Sequence, residues 1–236
     1  MEHRSRPFPH TVVRHRGARR MSLRVSTAGV RLTVPPRTPA SRIDAFLAAS
    51  AAWVDEQRRR LPSPPPPLAD GDRLALLDGE LRLSVGAGAG AATRARRDAD
   101  VLRVTPGPDG AGVDAAVERW YRREARALLA RRSEALAATL GAHVTDVAVR
   151  DPRSRWGSCS SRGRISYSWR LLLAPGRIVD HVVAHEVCHL LRPDHSPAFW
   201  SLLREVDPDT DAARAWLREH GPSLRLGPTW RTLLTA

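Results

Sequence analysis

Apolar positions along the chain change their period several times, and each change predicts an element. Leu23 and Val25, then Val30, Leu32 and Val34, alternate with polar residues on either side of Thr27-Ala28-Gly29. That is the pattern of a hairpin, closed by Pro35-Pro36. From Ser41 the spacing becomes helical: Ile43, Phe46, Leu47, Trp53 and Val54 recur at threes and fours over about 41–60. Arg58-Arg59-Arg60 suits the negative end of such a helix dipole. The proline-rich run 62–67 reads as a stiff linker. Short strand-like pieces follow at 74–77, 81–85 and 101–104, and the loop cluster Pro106-Gly107-Pro108-Asp109-Gly110 places a domain boundary near 112.

Beyond that boundary Val117, Trp120, Tyr121, Leu128, Leu129, Leu136 and Leu140 fall near one face of a helix about 40 Å long, with Gly141 as its terminating C′ residue. Val144, Val147 and Val149 predict a strand, Ile165, Tyr167, Trp169 and Leu171 alternate as another, and a helix opens near Pro175. The fold class is therefore α+β: a β-rich N-terminal region over 1–112 and a second domain over 113–236.

Composition narrows the function classes. A 236-residue chain with 42% hydrophobic residues can bury a core, so wholesale disorder is excluded. The longest weakly apolar run, 45–54, is about half of a bilayer span, and the arginine-rich N-terminus leads into no apolar stretch of the signal-peptide kind. Two cysteines, Cys159 and Cys188, make no disulfide framework. A cytoplasmic location is the expectation. The net charge of +13 comes entirely from arginine, with no lysine, which points to a coding bias as much as to a partner. Its distribution is uneven: residues 1–62 hold 13 arginines and 4 acids, and residues 114–236 hold 19 and 14.

The chemistry is concentrated in His185-Glu186-Val187-Cys188-His189, an HExxH string inside an apolar helical pattern. Histidines at i and i+4 share one helix face and reach a single Zn²⁺, with Glu186 beside it. The string alone is only moderately specific, so context decides. Pro193 stops the helix, a reversal at Arg192-Pro193-Asp194 delivers His195, and Ser196 and Pro197 open the next helix as N-cap and N1. His195 thus sits in a braced turn and completes a three-histidine set that leaves a fourth position for water. Glu205 is the competing third ligand. His181 shares the histidine face but lies about 12 Å along the axis from His189, so it belongs behind the ligands or in the core.

Arg155-Trp156-Gly157-Ser158-Cys159-Ser160, Gly163-Arg164-Ile165, Leu173-Ala174-Pro175, the HEVCH string and His195-Ser196-Pro197-Ala198-Phe199-Trp200 together resemble the YgjP-like metallopeptidase family, which belongs with the zincins and is related to the SprT-like and WLM groups. The likeness extends upstream to Trp120-Tyr121 and to the Asp70-Gly71 and Asp78-Gly79 turns. It implies a zincin-like domain with an HExxH active-site helix. Zinc would be held by His185, His189 and His195, and a zinc-bound water activated by Glu186 would hydrolyse peptide bonds of an unidentified protein substrate. By analogy with zincins, 165–173 is the edge strand that pairs with extended substrate. Tyr167, Arg170 and His220 are polar candidates for stabilising an oxyanion. WGSCS reads as a tight turn under the active-site helix, Cys159 has no evident base, and Cys188 packs on the far side of the helix from the metal. The rival reading is a nucleic-acid-associated module, in which the basic N-terminal region binds DNA or RNA and the zinc site is structural or directs cleavage of bound proteins.

Overall fold

The computed structural model describes residues 7–26, 29–60, 66–87, 92–107, 112–152 and 155–226. The expected turn at Thr27-Ala28, most of the proline run and Pro108-Asp109-Gly110 lie outside the described residues. The chain divides into two units, Met1–Pro65 and Pro66–Ala236.

In the first unit, β1 (Thr11–Arg14), β2 (Ser22–Ser26) and β3 (Gly29–Val34) form a sheet of order β1-β3-β2. The expected hairpin is β2 antiparallel to β3, with Leu23 opposite Leu32. Strand β1, parallel to β3, was not foreseen, because Thr-Val-Val-Arg carries no alternation. Val30, Leu32 and Val34 share a core with Ile43, Leu47 and Val54. The expected single helix is two, α1 (Ala40–Ala49) and α2 (Ala51–Arg60), interrupted at Ser50. Ile43, Leu47 and Val54 recur at four and seven and keep one buried stripe. Trp53, one residue earlier and about 100° around the axis, is 47% exposed rather than part of it.

In the second unit, β4 (Arg73–Leu76), β5 (Gly79–Val85), β6 (Arg94–Asp98) and β7 (Val101–Thr105) form a sheet of order β4-β5-β7-β6. The unforeseen β6 is an edge strand of sequence Arg-Ala-Arg-Arg-Asp, too polar to show a period. The long helix is α3 (Val113–Thr139), followed by Leu140 and by Gly141 at φ +66°, as expected of a C′ residue. A second sheet, of order β8-β10-β9, contains β8 (Asp146–Arg150), β9 (Gly157–Cys159) and β10 (Arg164–Ser168). Alternation from Ile165 to Leu171 is not one strand. It ends at Ser168, whose hydroxyl accepts from Arg170 N–H, and the chain coils into a 3-10 turn over Trp169–Leu173. Helices α4 (Gly176–Cys188), α5 (Pro197–Val206) and α6 (Thr210–His220) complete the unit. Among the described residues no helix is long and apolar enough to cross a membrane.

The boundary expected near 112 is corrected by these contacts. Leu74, Leu81, Leu83, Leu102 and Val104 share one core with Trp120, Tyr121 and Leu129 of α3. The Tyr121 hydroxyl donates to the Ala75 carbonyl at 2.5 Å. Asp78, in the turn between β4 and β5, accepts from Gly176 N–H at 2.9 Å, so a carboxylate from this sheet caps the N-terminus of α4. Burial of one apolar face needs the other, and the division falls at the prolines instead. Residues 66–236 alone are predicted to unfold in urea as one cooperative transition. Residues 113–236, with the Trp120 and Tyr121 face uncovered, should show none; equal cooperativity of the two fragments contradicts the shared core.

Candidate metal centre

Helix α4 begins after Pro175, which leaves the α region free only to the residues that follow it, and it runs through an almost continuous buried sequence. Ile178, Val179, Val182, Val183 and Val187 are buried, and so are the polar His181 and Glu186. The helix ends at Cys188, earlier than the stop expected at Pro193. His189 is its C-cap, and Leu190, Leu191 and Arg192 close the turn through N–H donations to Val187 and Cys188 carbonyls. Ser196 is the N-cap of α5 and Pro197 opens it, as expected, although the Ser196 side chain makes no capping bond.

This turn brings His185, His189 and His195 together. One ring nitrogen from each lies within 4.8 Å of the other two. His185 Nε2 and His195 Nε2 are 3.1 Å apart. An ion bound tetrahedrally at about 2.0–2.1 Å would hold its nitrogens roughly 3.4 Å apart, close to the His185–His195 spacing. Hydrogen bonding and packing aim the rings. His189 Nδ1 lies 3.0 Å from the Arg192 carbonyl oxygen; an Nδ1–H donated there leaves Nε2 as a free lone pair. Phe199 stacks on the His189 ring with centroids 4.4 Å apart, and Trp200 lies 5.6 Å from His195 beneath the Arg214 guanidinium. Burial, then repulsion from His189, His195, His181 and Arg214, pushes His185 down to about 3. Burial also lowers His189. Neutral lone pairs are the form a cation requires.

Glu186 is 5% exposed, and its Oε2 has no hydrogen-bond partner among the described residues. Burial raises its carboxyl to about 7, with the Arg155 guanidinium opposing. An unpartnered carboxylate oxygen is costly inside a protein, and a bound cation with its water resolves that cost. The residues present therefore fit a divalent ion of the zinc type.

The remaining sequence-predicted residues fall elsewhere. His181 Nδ1 pairs with Asp207 Oδ2 at 2.5 Å, which ties α4 to the segment after α5, and His181 is not part of the three-histidine cluster. Asp207 carried no signal in the sequence. Glu205 is exposed on α5, outside the histidine cluster. Tyr167 is fully buried with its hydroxyl 2.9 Å from Ser133 Oγ, and Arg170 pairs with Asp151, so both are committed. His220 packs on Trp216. Cys188 shares a cluster with Ala184, Phe199 and Leu203, beneath the ligands rather than on the far side of the helix. Burial pushes Cys159 and Cys188 up to about 11, with Glu186 adding to the effect at Cys159, which disfavours the thiolate at both.

Two further expectations change. β10 is the central strand of its sheet, paired with β8 on one side and β9 on the other, so it cannot offer an edge. WGSCS is not a turn beneath the helix but the edge strand β9, with the tight turn beginning at Ser160. Gly157 of that strand abuts Glu186, and Trp156 packs on Gly221.

The YgjP-like family model, described as a metallopeptidase domain, matches residues 19–220. The chain belongs to the YgjP-like metallopeptidase family. No curated protein matches it. Among solved structures, the crystal structure of the metallopeptidase zymogen of Pyrococcus abyssi abylysin is similar at 21% identity, covering 42% of this chain and 98% of that chain, with a TM-score of 0.36. For this YgjP-like metallopeptidase, His195→Ala is predicted to weaken zinc binding at least 100-fold in a competitive chelator titration, whereas Glu205→Ala leaves it unchanged. The reverse order assigns the third ligand to Glu205.

Proposed function

We propose that the chain is a zinc-dependent peptidase of zincin-like architecture, with α4 as its active-site helix. His185, His189 and His195 would hold the ion, and Glu186 would manage the proton. The observation that supports this most strongly is the three-imidazole cluster with a buried, half-unpartnered carboxylate on the same helix. Bound zinc supplies a Lewis acid that polarises a carbonyl and acidifies water. Glu186 accepts the proton of the attacking water at its free Oε2 and returns it to the leaving amine. Its burial keeps the proton affinity near neutrality, where both transfers are feasible. The Arg192 carbonyl holds His189 in one tautomer, and Phe199 and Trp200 keep water from the back of the rings. Among the described residues strand β9 has one unpaired edge, and it runs beside Glu186; extended substrate added there would pass its backbone close to the carboxylate.

Glu186→Gln is expected to retain stoichiometric zinc and to lose casein cleavage by about 10³-fold. Retention of a tenth or more of the wild-type rate contradicts the proton role.

A second reading concerns recruitment and rests on the first unit. Arg24 of β2 lies directly opposite Arg31 of β3, both exposed, while the other face of the sheet is buried. Residues 3–43 hold ten arginines and no acid. Coding bias chooses arginine over lysine but does not remove acids. Like charges directly opposite are unfavourable, and a polyanion laid across them relieves the repulsion. This face would engage the phosphates of DNA or RNA. Binding to duplex and single-stranded DNA should weaken linearly in log salt, with the slope reduced by about 2 in Arg24→Gln/Arg31→Gln. No binding at 50 mM salt removes this reading.

A further inference from the structure

The contact between β9 and α4 is unusually close at one residue. A methyl group built on Gly157 would lie 2.5 Å from Glu186 Cγ and 2.7 Å from Cδ, and nearer still to Oε1. Real Cβ atoms do not approach carbon that closely, so the Glu186 side chain occupies the space that any other residue at 157 would fill. The strand cannot retreat easily. Ser158 is in register with Ser166 and Cys159 with Ile165 on β10, and Ser168 N–H donates to the Trp156 carbonyl at 2.8 Å. The Trp156 ring is wedged against Gly221, where an added Cβ would meet it at 2.9 Å. The helix is equally fixed. Asp78 caps its first turn, Arg132 reaches both the Gly176 carbonyl and Asp180, and His181 is held by Asp207. Between two restrained elements the only compliant part is the Glu186 side chain itself.

We infer that Gly157 is the positioning residue for Glu186: the bare backbone of β9 forms the wall against which the carboxylate rests, with Oε1 on the wall side and Oε2 left unpartnered for the reacting water. This rests on the peptidase reading for its consequence, though not for the contact. It also gives the glycine of WGSCS a task that neither turn geometry nor positive φ explains, since Gly157 has neither. The wall acts in one direction. It prevents the side chain from folding back towards the sheet.

The test is a double-substitution cycle between 157 and 186 with two readouts. Thermal melting, independent of activity, reports the contact. Gly157→Ala should lower Tm by about 5 °C in the wild-type background, within the range of overpacked cores, and by less than about 1 °C in Glu186→Ala. Equal shifts in the two backgrounds overturn the inference. Peptide cleavage reports the positioning. Gly157→Ala should keep full zinc, lower kcat at least 50-fold and move KM less than threefold. Glu186→Asp, one methylene shorter, should recover at least fivefold of that loss when combined with it, relative to the product of the single effects. Loss of zinc in Gly157→Ala, or the absence of recovery, overturns positioning. If the wild-type protein cleaves no peptide, the peptidase reading fails while the melting cycle still decides the contact.

Discussion

The burial of α4 is the constraint that the second unit is built around. Ten of its thirteen residues are buried, so the helix must be covered on nearly every side. Helix α3, the β4–β7 sheet through Asp78, strand β9, and helices α5 and α6 each supply part of that cover. Arg177 and Asp180 reach solvent near the start of α4, and towards and past its C-terminal end the histidines go from half-buried His185 and His189 to exposed His195. A metal ion held at this end would have a firm foundation and an open approach. The same burial strips water from Glu186, raising its proton affinity and leaving one oxygen without a partner among the described residues.

Charge and chemistry are separated along the chain. Around the histidines lie one buried carboxylate, Glu186, the Arg155 guanidinium that acts on it and Arg214 over Trp200, and a divalent ion would add to that local charge. Most of the arginine excess lies in the first unit, where Arg24 and Arg31 are exposed opposite one another on the sheet. In the second unit several arginines pair with acids, as in Arg132 with Asp180, Arg164 with Asp146 and Arg170 with Asp151. Exposed pairs of this sort contribute little stability each, but they leave the unit without a large field of one sign.

What the sequence made legible was local. The HExxH string, the braced His195, the Pro197 helix start, the α3 stripe and the Gly141 terminator all follow from spacing within one or two turns. What stayed hidden depends on pairing between distant segments. Nothing in Ile165, Tyr167 and Ser168 says whether β10 lies at the centre or edge of its sheet, and its apolar run continues smoothly into a 3-10 turn because both are buried. Strand β6 is invisible because an edge strand facing water needs no apolar alternation. The domain boundary was misplaced because a glycine- and proline-rich loop was read as a linker, when residues on both sides of it bury one core. The partners of the site, Asp78, Gly157 and Asp207, lie as far as 98 residues from what they touch.

Three histidine nitrogens, one ion and an open position beside Glu186 form the central claim. X-ray absorption at the zinc edge of the purified chain tests it most directly. The account predicts one zinc with three imidazole nitrogens and a light oxygen donor at about 2.0–2.1 Å and no sulfur. A sulfur shell near 2.3 Å from Cys159 or Cys188, or four imidazoles around a closed ion, would contradict it.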